Sequence, residues 1–382
     1  MAVEIRQGRD SDREAIAAFL AEAYGTRARY KGPERWTWQF ERNPFAFTAD
    51  GTVPVWIAVD ADRVVGQIAV QQAALKIEDE TVAAGWIVDV MILPSHRGGG
   101  IGHRLYEAVA RDVDVLVTLT MAEATRRMAE RLGAVTLGEV HQLSRLVRLD
   151  PESVRRYLLA RTVYHPWANN LAAVGCTLFQ AHRVVPAVAN PLLRLRDRAK
   201  HAAQREQTTT ITETQSFGAD VDDLWERTKG DYPVIFPRDT RFLNWRFVEC
   251  PEPSYRRFVA ARDGRTVGYV VLRLADEVEL RQGVIVDLYA GRRDTETLEA
   301  LVRHSLAFFG TDVAAVDCAS SIPELESVFR GLGFFRTRTA RPTCVCRDDR
   351  LRGRIAGLGS DWFFSKGDHD WDQIHVAGAD PD

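Results

Sequence analysis

The chain has 382 residues, 46% of them hydrophobic and 27% charged, with a formal net charge of −3. That composition is typical of a globular protein, the length suits two domains, and the near-neutral charge excludes polyanion binding by the chain as a whole. No apolar run approaches the roughly 20 residues that span a bilayer, so no membrane span is expected.

Taken in order, REAIAAFLAEAY (13–24) carries apolar residues at helical spacing. VPVWIAVD and RVVGQIAV (53–70) read as two strands joined by a short turn at Asp60 to Asp62. LKIEDETVAAGWIVDVMIL predicts a further strand pair ending at Pro94, after which a helix opens among glycines and runs through HRLYEAVARD. DVLVTLT (114–120) predicts a short strand and ATRRMAERLG a helix closed by Gly133, followed by strands to about Arg148. This order predicts an α/β fold built on a mixed sheet with helices on both faces.

The pattern then recurs. Trp38-Gln-Phe-Glu-Arg-Asn-Pro44 matches Trp245-Arg-Phe-Val-Glu-Cys-Pro251, Val65-Gly66 matches Val267-Gly268, Val88-Asp89-Val90 matches Val286-Asp287-Leu288, and Leu132-Gly133 matches Leu332-Gly333. Ordered matches at nearly constant spacing predict an internal duplication, hence two similar domains in tandem. The expected divisions are 1–148 for the first domain, 149–207 for a connector, 208–346 for the second domain and 347–382 for a tail. The connector is helical in pattern and basic, with nine Lys or Arg in 151–206 (Arg194, Arg196 and Lys200 among them) against Glu152, Asp197 and Glu206. It reads as a docked helix with solvated arginines, or as a site for a phosphate-bearing acceptor, RNA or a membrane surface.

The N-terminal MAVEIRQGRD lacks the apolar core of a secretory signal. Cys176, Cys250, Cys318, Cys344 and Cys346 form no CxxC pair and read as reduced thiols, so a cytoplasmic location is expected. In the tail, Asp368, His369, Asp370, Asp372 and His375 lack regular ligand spacing. A solvated turn anchored by Trp362 and Trp371 is expected there, and no metal.

The chemistry concentrates in PSHRGGGIGHRL (94–105), where four glycines fill five positions between a strand and a helix. Such a turn aims backbone N–H groups and the positive end of a helix dipole at one point, which attracts phosphate. It lacks the Lys-Ser/Thr of a nucleoside-triphosphate loop and the G-x-G-x-x-G spacing of a dinucleotide fold. It does match R-x-x-G-x-G, as Arg97 to Gly102, and so resembles the acyl-CoA motif of the GCN5-related N-acetyltransferase (GNAT) superfamily. The resemblance covers about 1–148. The second copy, about 208–346, is similar in fold but reads YAGRRDTETLEAL where the motif should stand.

The resemblance implies two tandem GNAT-like domains with one working site, using acetyl-CoA or another acyl-CoA as co-substrate. Arg97, Gly98, Gly99, Gly100, Ile101 and Gly102 would hold the diphosphate. The strand Val90 to Leu93 would pair with the pantetheine arm, and an N–H near Met91 or Ile92 would polarise the thioester. His96 and His103 flank the turn. The tyrosine that many members use as proton donor is replaced by Ala129, and by Phe329 in the second copy. Asp89 is the nearest carboxylate and the candidate base, although Asp287 in the copy without the motif favours a structural role. Tyr30, Trp38, Arg42 and Asn43 are the candidate acceptor contacts, with the recurrence of Trp38 as Trp245 arguing for a core position.

The expected function is transfer of an acyl group from CoA to the amine of a small molecule, such as an amino sugar or an amino acid derivative. The tail WFFSKGDHDW resembles the ends of some bacterial tandem acyltransferases acting on amino sugars. Two rivals are an aminoacyl-tRNA-dependent transferase of the same fold, against which the charge weighs, and a protein that binds acyl-CoA without turnover. No nucleic acid partner is expected, and the oligomeric state is left open.

Overall fold

The computed structural model describes residues 3–25, 28, 31–47, 51–119, 123–155, 180–202, 209–276, 281–359 and 361–373. In chain order the first repeat forms β1 (Glu4–Arg9), α1 (Arg13–Tyr24), α2 (Pro33–Trp36), β2 (Thr52–Asp60), β3 (Arg63–Ile77), β4 (Glu80–Ile92), α3 (Ile101–Asp112), β5 (Val115–Thr118), α4 (Glu123–Arg131), β6 (Val135–Thr136) and β7 (Val140–Leu146). The helix α5 (Ala181–Ala202) follows. The second repeat supplies β8 (Thr210–Thr214), α6 (Ala219–Thr228), β9 (Val234–Ile235), α7 (Thr240–Phe247), β10 (Arg256–Arg262), β11 (Arg265–Ala275), β12 (Gln282–Ala290), α8 (Thr295–Phe309), β13 (Ala315–Ser320), α9 (Pro323–Gly331), β14 (Phe335–Ala340) and β15 (Thr343–Cys346). The chain closes with α10 (Asp349–Leu358) and β16 (Trp362–Phe363).

Local chemistry accounts for these elements. Ile16, Phe19 and Leu20 put the apolar stripe of α1 into the core, and Gly25 ends the helix at φ +55°. The β2–β3 hairpin turns through Ala61 and Asp62, both at positive φ, and β10–β11 turns the same way through Asp263 and Gly264. Positive φ at both central residues is the turn whose twist matches paired strands.

Strands fall into two sheets. One has the order β1-β2-β3-β4-β5-β15-β6, with β9 on β3 and β16 on β9; the other runs β14-β7-β13-β12-β11-β10-β8. Parallel pairing joins β4 with β5 in the first sheet, β12 with β13 in the second, and the short β16 with β9. The duplication shows in the register: each sheet carries a bulge one residue before its aspartate, at Val88 between β3 and β4 and at Val286 between β11 and β12.

The sheets do not divide where the repeats divide. Strand β15, late in the chain, pairs with β5, while β7 of the first repeat pairs with β13. Each sheet is therefore completed by a strand from the other repeat, and the compact units are 1–140 with 225–252 and 340–363, and 141–224 with 253–339 and 364–382. Boundaries at 148 and 346, drawn from local pattern, separate repeats rather than sheets.

The tail departs from the solvated turn expected of it. Asp368, Asp370 and Asp372 are buried, as is Lys366 at 2% exposure. Tyr255 Oη donates to Asp372 Oδ2 at 2.6 Å, Arg273 donates to the Asp372 carbonyl, and the Ser365 N–H donates to Asp368 at 2.8 Å. Burial pushes the Lys366 ammonium below its usual pKa, against the pull of Asp317. Opposite charges grouped in this way can be buried where single ones cannot. His375 lies outside the described residues. Among the described residues, no group of three or more His, Cys, Asp or Glu is placed to hold a metal, and no helix is long and apolar enough to cross a membrane.

Candidate active site

The first sheet opens along one edge of β4. Pairing with β5 covers only Ala84↔Val115 to Trp86↔Val117, while β4 runs on to Ile92. On its other side β4 stays paired with β3, in the register Ala69↔Asp89 to Gly66↔Ile92. The Leu93 N–H donates to the Val65 carbonyl at 2.9 Å. Antiparallel alternation therefore turns the Met91 amide toward β3 and leaves those of Val90 and Ile92 on the open edge. Of the two backbone candidates from the sequence, Ile92 has the free-edge position and Met91 does not. The Ile92 carbonyl takes the Arg97 Nε–H at 3.1 Å, tying the motif's arginine back to the strand it follows.

The glycine turn comes next. Gly98 and Gly100 adopt φ +86° and +73°, a region that other residues enter only with strain. A Cβ built on Gly98, Gly99 or Gly100 would meet nothing within 4 Å. These glycines leave space clear rather than fill it. Gly102 differs, because a Cβ there would lie 3.2 Å from Ile92 Cδ1 and 3.3 Å from Met128 Sδ. It serves packing between α3 and its neighbours, as does buried Ile101. Gly100 caps α3 without any side-chain bond, so the first-turn amides have no intrahelical acceptor. Uncapped amides beside clear space fit a diphosphate. The flanking histidines are engaged locally, His96 Nε2 with Asp60 at 3.2 Å and His103 with Glu107 at 3.3 Å.

In the second repeat the corresponding helix start is closed by the protein itself. Asp294 caps α8, accepting from the Thr297 N–H at 3.1 Å and from Arg262 at 2.7 Å. Burial alone would raise the pKa of this carboxyl, but the bonds from Thr297 and Arg262 hold it below its usual value. A fixed carboxylate stands where a phosphate would otherwise neutralise the helix end.

Asp89, 8% exposed, accepts from the Tyr24 hydroxyl at 2.7 Å and pairs with Lys31 Nζ at 3.0 Å. Lys31, Arg35, Gln39 and Gln67 line a narrow cavity with it, about 10 Å³, room for one water. Gln67 is buried, and its Oε1 has no hydrogen-bond partner. In the second repeat, Asp287 accepts from the Tyr269 hydroxyl at 2.7 Å.

The acceptor candidates separate. Trp38 is buried, and its indole N–H donates to the Trp245 carbonyl at 2.8 Å. Asn43 is also buried, donating to the Gln72 carbonyl at 2.8 Å and accepting from the Phe45 N–H at 2.9 Å. Both direct their polar atoms into the fold. Arg42 is exposed, and Tyr30 lies outside the described residues. Tyr24, Lys31, Gln39 and Gln67 were missed by sequence reasoning. Gln67 stands on the apolar strand RVVGQIAV, where a polar residue between hydrophobic ones was the available signal.

Ala129 is buried and carries no acid. Tyr106, on α3, has its hydroxyl pushed up to about 12 by burial, too weak an acid to protonate a thiolate whose own pKa is about 8.5.

The mixed sheet thus opens along one strand and runs into a clear glycine turn at a helix start. A family model, Acetyltransferase (GNAT) domain, matches residues 4–134. Three solved structures share the fold. A GCN5-related N-acetyltransferase from Anabaena variabilis has TM-score 0.57 and 10% identity, over 91% of this chain and 73% of that one. One from Kribbella flavida has TM-score 0.54 and 14% identity, over 91% and 72%. Eis1 from Mycobacterium abscessus has TM-score 0.51 and 13% identity, over 93% and 76%. No curated protein matches the chain in sequence. Residues 4–134 thus match a GNAT acetyltransferase domain, and the chain shares its fold with GCN5-related N-acetyltransferases.

Proposed function

We propose that the first repeat moves an acyl group, most simply acetyl, from an acyl-CoA to the primary amine of a small molecule. The observation that carries this reading is the clear glycine turn at the uncapped start of α3, continuous with the open edge of β4. Amides of Gly98 to Gly102 would hold the diphosphate, and Val90 and Ile92 would pair with the pantetheine arm. The Ile92 N–H would stabilise the negative charge that develops on the thioester oxygen.

The amine nitrogen attacks the thioester carbonyl, the C–S bond breaks, and an amide and CoA leave. An alkylammonium must first lose a proton, and Asp89 would take it through a single water in the cavity, which donates its other hydrogen to Gln67 Oε1. Tyr24 and Lys31 fix the carboxylate in place. The absence of a tyrosine at Ala129 does not stop the reaction, since a thiolate of pKa about 8.5 is a good leaving group near neutral pH.

The test is thiol release from acetyl-CoA across a library of amino sugars and amino acid amines. Sustained release is expected with at least one amine. Asp89→Asn should cut turnover about tenfold or more while acetyl-CoA affinity stays unchanged. Tight acetyl-CoA binding with no release for any amine would instead favour a binding protein without turnover.

A further inference from the structure

We propose that the second repeat binds a phosphorylated small molecule, of about mononucleotide size, in a cavity walled by Arg145, Arg148, Arg194, Arg303, His304 and Thr209. The cavity measures about 770 Å³, a volume typical of small-molecule sites. It lies wholly within the second compact unit and owes nothing to the acyl-transfer reading.

Charge is the first argument. Four guanidiniums face the cavity, against one lining carboxylate, Asp197. Asp197 Oδ1 already serves two arginines, Arg145 at 2.7 Å and Arg196 at 2.8 Å. Arg303 is matched by Glu299 at 2.8 Å, while Arg148 and Arg194 reach the rim exposed. Positive charge exceeds negative in a partly dry space. Burial, helped by Arg196, pushes the Arg145 guanidinium down to about 10 despite Asp197. A bound anion would relieve that cost.

Unmet polar atoms are the second argument. His304 Nε2 and Thr209 Oγ1 are both buried without a hydrogen-bond partner, which costs stability unless a ligand or solvent completes them. The position of α5 is fixed by Asn190, which donates to and accepts from the backbone of Leu149. Arg194, one turn later, is thereby held on the cavity side. The lining is rich in donors and poor in acceptors, matching a phosphoryl group with its several acceptor oxygens. Val147, Ile211 and Leu306 offer apolar wall for the rest of the molecule. A concave space of this volume suits a small phosphate ester, whereas a polynucleotide is read along an extended stripe.

Full-length protein would be titrated calorimetrically with AMP, glucose phosphate, adenosine and an oligonucleotide. At least one phosphate ester should bind below millimolar concentration, and adenosine should give no heat. In an Arg148→Gln/Arg194→Gln variant, ester affinity should fall about tenfold or more, with acetyl-CoA affinity unchanged. Gly100→Val should have the reverse effect, separating this site from the first repeat. Absence of heat from both esters, equal binding by the double variant, loss of ester binding in Gly100→Val, or a preference for the oligonucleotide would each overturn the proposal.

Discussion

Trp38 and Trp245 donate their indole N–H groups to each other's backbone carbonyls, at 2.8 and 2.9 Å, with their rings stacked 5.0 Å apart. The two W-x-F segments of the repeat thus meet in one place, within the unit that carries the first sheet. Truncating either ring should cost about 3–5 kcal/mol. Trp38→Phe, which keeps a ring but orphans the Trp245 carbonyl, should cost about 1–3 kcal/mol. Urea unfolding of both single alanine variants and the double variant checks this. The two losses should be non-additive by about 0.5–3 kcal/mol, and strict additivity would show that the reciprocal pair is not a unit.

The glycines of the turn should not be equivalent. Gly98→Ala and Gly100→Ala force an L side chain to positive φ, at about 1–2 kcal/mol each, and place a methyl in the clear space. Gly99→Ala adds the methyl without that strain. All three should weaken acetyl-CoA binding, whereas Gly102→Ala should act on stability through Ile92 and Met128. Calorimetric binding alongside thermal unfolding distinguishes the two behaviours. Unaltered acetyl-CoA affinity in all three turn variants would remove the turn from the donor site.

Acid should destabilise the second unit through His304. Burial pushes this imidazole below its usual value, and Glu213 opposes the shift only in part. The unfolded chain binds a proton there near pH 6.5, while the folded chain binds it only at lower pH. Below about 6.5 the unfolded state therefore takes up more protons and stability falls; above it the group contributes no slope. Urea midpoints between pH 7.5 and 5.5 should drop more steeply for the native protein than for His304→Gln. A phosphate ester in the cavity should flatten the native curve. Equal slopes would exclude the histidine as the source.

Local patterns were legible in the sequence because they rest on short-range rules. The strand, the glycine turn and the helix from Val90 to Asp112 follow from period and composition, and the loss of the turn in the second repeat follows from YAGRRDTETLEAL. Long-range events were not legible. Nothing near Asp89 announces that Lys31 and Tyr24 meet it, since α1 and the segment after it reach β4 only once the sheet has formed. The acidic tail read as solvated because its partners, Tyr255 and Arg273, stand far back in the chain. Trp38 reads in the sequence both as an acceptor contact and as core; its stack on Trp245 joins positions 207 residues apart, which no local pattern announces.

The crossed assignment of β7 and β15 bears on how the chain is made. On the ribosome, the edge of β5 is synthesised long before its partner Thr343–Cys346, so the first sheet must wait, incomplete, for nearly the whole polypeptide. Closing such a distant loop slows folding. A gene cut between the repeats would encode two fragments, each carrying the other's missing strand. The second repeat, though it has no glycine turn of its own, thus supplies a strand that the first sheet would lack without it.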